Sequence, residues 1–184
     1  ADRLLPDVIR DMDGNEESRK GTVSVFNGPT PECRIMSSKD DEIAAVAAKL
    51  HDLLERGYQP NEIGIFVRSE GQMPQARDVL KKSGLPWNEL ENTSRPANGK
   101  IAVSTMHLAK GLEFRAVIVM ACDDEVIPLQ ERIDAITDGA DLEEIYTTER
   151  HLLYVACTRA REELLVTATQ PESEFLMDSF AITQ

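Results

Sequence analysis

Ile101-Ala102-Val103-Ser104-Thr105-Met106-His107-Leu108-Ala109-Lys110-Gly111-Leu112-Glu113-Phe114 is the stretch on which the reading of this chain turns. It opens as an alternating apolar strand, Ile101 to Thr105. It then sets a histidine, a lysine, a glycine and a glutamate close together before a second apolar run, Ala116 to Ala121. Polar groups buried without partners are costly, so this is poor core material. In parallel α/β sheets ligands bind beyond the carboxyl ends of the strands, and the turn is therefore expected to be a ligand-facing edge.

Working outward, 184 residues make one ordinary domain with a single substantial core. A hydrophobic content of 41% with 29% charged residues is that of a soluble globular protein. No apolar run approaches the roughly 20 residues of a membrane span, so a soluble protein with no membrane partner is expected, and the cytoplasm is expected from its unpaired cysteines. No secretory leader pattern appears, and the opening Ala1-Asp2-Arg3-Leu4-Leu5 reads as mid-helix, so a piece of a longer protein is expected. Cys33, Cys122 and Cys157 are odd in number, far apart and outside metal-ligand spacings, as reduced core residues would be, and no metal site is expected. A net charge of −13 excludes wrapping nucleic acid by bulk electrostatics; any such contact must be local.

Along the chain, Leu4, Leu5, Val8, Ile9 and Met12 fall at helical spacing over residues 2 to 12, and Asp13-Gly14-Asn15 ends that helix. Thr22 to Phe26 and Cys33 to Met36 read as strands. Ser38 is placed to cap a helix with Ile43, Val46, Ala47, Leu50, Leu53 and Leu54 on one face and Gly57 as its stop. Ile63 to Val67 is an apolar run covered on both faces, followed by a helix from about Met73 to Lys82 that stops at Gly84. Pro86 to Gly99 reads as a loop and Asp123 to Thr147 as a long acidic excursion. Thr148 to Ala160 is a helix, Glu163 to Ala168 the last strand, and Phe175, Leu176 and Phe180 a short closing helix. Strands alternating with helices predict a doubly wound, mostly parallel sheet.

Two nucleotide-site decoys can be set aside. Gly99-Lys100 lacks the opening glycine of a phosphate loop, and Ile101 stands where a metal-binding hydroxyl belongs. Asp123-Asp124-Glu125 follows a strand as magnesium ligands do, but without a phosphate loop these acids read as a solvated acidic loop. A small-molecule enzyme on a flavodoxin-like sheet is disfavoured, since no glycine-rich fingerprint follows an early strand.

The opening stretch and Glu149-Arg150-His151-Leu152-Leu153-Tyr154-Val155-Ala156-Cys157-Thr158-Arg159-Ala160 together resemble motifs V and VI of the UvrD/Rep-like superfamily 1 DNA helicases. The order and the intervening strand agree as well. More weakly, the strand ending in Arg68, the Gly84-Leu85-Pro86 exit and Ser173-Glu174-Phe175-Leu176 extend the likeness over the chain. The resemblance implies a RecA-like α/β fold, the P-loop-NTPase-type three-layer sandwich. Residues 1–184 would be the second RecA-like domain, without its own P-loop. The first RecA-like domain of the same chain would carry the P-loop and the Mg2+ ligands, with ATP held between the two.

On that resemblance Arg159 is the arginine that reaches the γ-phosphate, Glu113 the ribose contact and Gly111 the glycine that lets backbone approach the phosphates. Thr105, His107 and Lys110 face single-stranded DNA or couple it to the nucleotide site, and Arg68 and Ser69 contact the DNA backbone. Arg150 matches a motif VI arginine of structural or relay character. The implied activity is ATP-dependent DNA translocation or unwinding, of 3′ to 5′ polarity, with the isolated domain inactive and only weakly DNA-bound. The sequence departs from the pattern at Glu70, where a carboxylate would repel phosphate, and at His151. It is also too short between Trp87 and Ile101 for the large helical insertion of Rep-type members. These departures and the acidity leave a competing expectation, a regulatory or protein-binding module that keeps the fold.

Overall fold

The structure is a computed structural model that describes residues 8–10, 16–18, 29–91, 96–135 and 139–179. Its strands are β1 Val8–Arg10, β2 Glu16–Ser18, β3 Glu32–Met36, β4 Ile63–Val67, β5 Trp87–Glu89, β6 Ile101–Thr105, β7 Phe114–Val119 and β8 Ala160–Thr169. Its helices are α1 Lys39–Glu55, α2 Met73–Ser83, α3 Gln130–Asp134, α4 Gly139–Cys157 and α5 Glu174–Ser179. The last six strands form one sheet in the order β3-β8-β7-β4-β6-β5, with parallel pairing throughout. One core lies between the sheet and α1 and α2; the other lies between its opposite face and α4 and α5. This is the three-layer α/β arrangement expected.

Local chemistry accounts for the elements. Ser38 Oγ accepts from the Asp41 amide at 3.2 Å, and Asp40, Asp41 and Glu42 fill the first turn of α1, where carboxylates suit the helix dipole. Gly84 closes α2 at φ +68°, a left-handed cap that glycine adopts without a Cβ penalty. All five residues of β4 are buried, as a central parallel strand requires. Gly64 within it is there for space: a Cβ would meet Phe114 Cδ2 at 2.8 Å. The three cysteines are free and buried, and burial pushes the Cys33 thiol up to about 11 and the Cys157 thiol to about 12.

Several boundaries differ from the sequence expectation. Val8–Arg10 is a strand paired antiparallel with Glu16–Ser18, not part of a helix over 2 to 12; the rest of that segment, the strand at Thr22 to Phe26 and Phe180 lie outside the described residues. The loop from Pro86 contains the edge strand β5. α4 begins at Gly139, inside the stretch read as an excursion, and ends at Cys157, so Arg159 sits in the turn beyond it. β8 begins at Ala160, three residues earlier than expected, because it pairs with Phe114 across a bulge in β7.

Candidate functional site

β6 and β7 are not neighbours; β4 lies between them, and all three run the same way. The carboxyl end of β6 and the amino end of β7 are therefore at opposite edges of the sheet. The residues joining them cross about 17–20 Å of sheet, the span of a five- or six-residue strand. This corrects the opening expectation: Met106 to Glu113 is not a turn at one ligand-facing edge but a crossing. Thr105 and His107 lie at the carboxyl edge, Gly111 and Glu113 at the amino edge. Met106, Ala109 and Phe114 are buried under the crossing, while His107, Lys110, Gly111 and Glu113 are exposed.

At the amino edge the crossing meets the turn after α4. The Phe114 amide donates to the Arg159 carbonyl at 3.0 Å. The Arg159 guanidinium donates to the carbonyls of Val155 at 3.0 Å and Leu112 at 3.3 Å, and to Thr158 Oγ1 at 3.2 Å. Arg161 lies 4.0 Å from Glu113, both well exposed, a pairing worth little in water. Gly111 holds φ +81° with open space where a Cβ would stand. The edge thus presents two guanidiniums, an accessible carboxylate and an open backbone turn, a donor set that fits the phosphates and ribose of a nucleotide arriving from outside. Arg115, projected at the bulge, forks Glu162 at 2.8 Å through two bonds, reaches Glu62 at 3.0 Å and covers the Tyr58 ring at 4.4 Å, tying the starts of β4, β7 and β8 together.

The carboxyl edge is built differently from the expectation for Arg68. Expected at a DNA backbone, Arg68 is only 2% exposed, and both arms of its fork are held by Glu149 of α4 at 2.5 Å. Arg132 of α3 adds a bond to the same carboxylate at 2.9 Å. Burial pushes Glu149 up, but the bonds and charges of Arg68 and Arg132 outweigh it and hold the carboxyl below its usual range. Ser69 accepts from the Gly71 amide and donates to Gln72, capping the short 3-10 turn after β4. The His107 imidazole is lowered by desolvation first and by the positive charge of Arg68 next, with Glu149 opposing, so it is neutral at pH 7. Thr105 is half-buried.

α4 joins the two edges on its own account, with Glu149 at one and Cys157, just before Arg159, at the other, about 12 Å along the axis. Between them Arg150 lies over the Phe175 ring at 4.8 Å, a packing role. Of the acids after β7, Asp123 is occupied structurally, accepting from the Thr169 amide at 2.6 Å, while Asp124 and Glu125 are exposed. Among the described residues no group of three or more His, Cys, Asp or Glu is arranged to hold a metal ion. Nor, among them, is any helix long and apolar enough to cross a membrane. The sequence reading missed Arg115 and Arg132, each a lone arginine whose partners are distant in sequence; the one available signal was a cation set between carboxylates in Glu131-Arg132-Ile133-Asp134.

Comparison with known proteins agrees with this fold. The chain is 32% identical over 115 residues to DNA helicase II of Rickettsia typhi, a match covering 61% of this chain and 16% of that protein. It is 33% identical over 104 residues to the ATP-dependent DNA helicase PcrA of Bacillus subtilis, covering 50% and 13%. The chain thus spans about a sixth or less of the length of these relatives. The crystal structure of the C-terminal domain of a possible DNA helicase from Lactobacillus plantarum WCFS1 shares the fold, with a TM-score of 0.63 and 24% identity, over 86% of this chain and 87% of that one. The UvrD-like helicase C-terminal domain matches residues 78–171, half of the chain and the part that holds the crossing, α4 and β8. The chain belongs to the UvrD-like helicase C-terminal domain family.

Proposed function

We propose that residues 1–184 form the second RecA-like motor domain of an ATP-dependent DNA helicase or translocase of 3′ to 5′ polarity, working in the cytoplasm with an N-terminal RecA-like domain of the same chain. The observation that carries this reading is the crossing itself: one eight-residue segment puts His107 at one sheet edge and Glu113, beside Arg159, at the other. ATP would lie against the amino edge, with Glu113 toward the ribose, the Gly111 backbone and Arg159 toward the phosphates. Mg2+ ligands would come from the partner domain, which also brings the P-loop. Arg159 would leave the Leu112 carbonyl and Thr158 to stabilise charge on the transferred phosphoryl group, where a planar, permanently charged fork is worth ~10³ to 10⁵ in rate. Thr105, His107 and Lys110 would contact single-stranded DNA, with Arg68 behind them bracing Glu149.

Alone, this domain supplies one wall of the cleft and is expected to show no ATP turnover. The test is DNA-stimulated ATP hydrolysis by the domain joined to its N-terminal partner, with and without Arg159→Lys. A fall of ~10³-fold with nucleotide binding intact supports the motor reading. Retention of more than about a tenth of the rate removes its main support and favours a regulatory module, the reading that a fully occupied Arg68 and the −13 charge would suit.

A further inference from the structure

Glu149 has two carboxylate oxygens and three guanidinium bonds. Arg68 takes both oxygens, while Arg132 shares Oε1 at 2.9 Å. The side chain of Arg68 is 3% exposed and that of Arg132 is 39% exposed. If Arg132 departs, each oxygen of Glu149 keeps a partner and no buried charge is orphaned. Arg68 cannot depart without leaving one. Arg68 and Glu149 cancel each other, so Arg132 is a spare positive charge at the edge that carries His107. Its influence reaches the imidazole directly, as one of the positive charges that lower it.

We propose that Arg132 is an exchangeable nucleic-acid contact: its guanidinium leaves Glu149 for a backbone phosphate of a single strand lying on the carboxyl edge, and returns when the strand is released. The inference rests on the reading of that edge as the nucleic-acid side and adds a ligand to it from outside the two helicase-like motifs. It also gives the segment after β7 a task, because α3 is the element that brings Arg132 to the edge. The exchange is inexpensive: a half-exposed third bond to an already satisfied carboxylate is traded for a charge-assisted bond to phosphate. The opposing charges at this edge include Glu70 after β4, Asp124 and Glu125 after β7, and Glu131 and Asp134 on α3, all exposed. They keep net attraction small and make one arginine count.

The test is fluorescence anisotropy of an oligo-dT single strand with this chain over a salt series. Arg132→Gln is expected to weaken binding about tenfold at low salt, the order of one charge-assisted hydrogen bond. It should also lower the slope of log affinity against log salt by about 1. Arg132→Lys, which keeps the charge, should restore most of the slope, a readout that a purely structural role for Arg132 would not produce. Glu70→Gln should tighten binding. If His107→Ala weakens binding while Arg132→Gln leaves affinity and slope unchanged, the inference is overturned and the nucleic-acid edge stands. If the unmodified chain shows no salt-dependent binding even at low salt, both are overturned.

Discussion

The Phe114 amide is bonded to the Arg159 carbonyl at 3.0 Å, and the Arg159 guanidinium reaches back to the Leu112 carbonyl at 3.3 Å. Glu113 therefore sits between two residues that both touch Arg159, and its distance from that arginine is set largely by main chain. Phe114 is fixed in turn by β4, where its ring lies over Gly64 and meets Phe66 edge-on at 6.0 Å.

That packing makes Gly64 a sensitive position. Gly64→Ala forces a contact of 2.8 Å with an aromatic ring that has no free end to swing away. A cost of about 1–3 kcal/mol is expected for such overpacking. At Gly71 the nearest atom to an added Cβ is Ser69 Oγ at 3.5 Å, ordinary contact, so Gly71→Ala is the control. Thermal unfolding compares them; equal melting temperatures for the two variants would show that the core at Phe114 yields freely.

Glu113→Gln should separate binding from turnover in the domain joined to its N-terminal partner. A ribose contact holds ground state and transition state about equally, so the expected outcome is a raised KM for ATP with a smaller loss of kcat. Steady-state kinetics at saturating single-stranded DNA measures both. A kcat loss as deep as that of Arg159→Lys would assign Glu113 to the chemical step instead.

Breaking the Arg68–Glu149 pair should be costly. Glu149→Gln leaves a buried guanidinium without its counter-charge, a change of about 3–5 kcal/mol. The double variant Arg68→Met, Glu149→Leu should lose less than the single, since no buried charge is stranded. Because the folded-state carboxyl is held below its usual range, this pair's contribution is present above the unfolded value and lost as pH falls through the folded one. Urea unfolding over the acid range should show the unmodified protein losing stability there and Glu149→Gln losing less; parallel profiles would refute the linkage.

Glu42 should behave in the opposite sense. Its fully buried carboxyl accepts from the Ala121 amide at 2.9 Å, from Thr167 and from Gln75, and burial raises it above the usual range. Between the unfolded and folded values the folded state keeps a proton that the unfolded chain has released, so stability falls as pH rises through that window. Glu42→Gln, neutral throughout, should remove this fall while keeping an acceptor for Ala121. The same urea series decides it, and an unchanged pH profile would exclude a titrating Glu42.

The sequence by itself determined the alternation of the main strands and helices from Cys33 onward, though not the edge strand β5 or the short α3. It could do so because period, caps and turn residues act locally: Ser38 begins α1 and Gly84 ends α2 whatever surrounds them. Only the tertiary structure decided on which edge each site residue stands. Thr105 and Glu113 are close in sequence but lie at opposite edges, because β4 inserts between β6 and β7 and strand order is a long-range outcome. Arg68 read as a surface contact because its partner, Glu149, is 81 residues away and one carboxylate at that distance changes an exposed cation into a buried one. The helical spacing of Val8 and Ile9 gave way at residues 8–10 to pairing with Glu16–Ser18, since in so short a segment cross-strand hydrogen bonds outweigh a weak local preference.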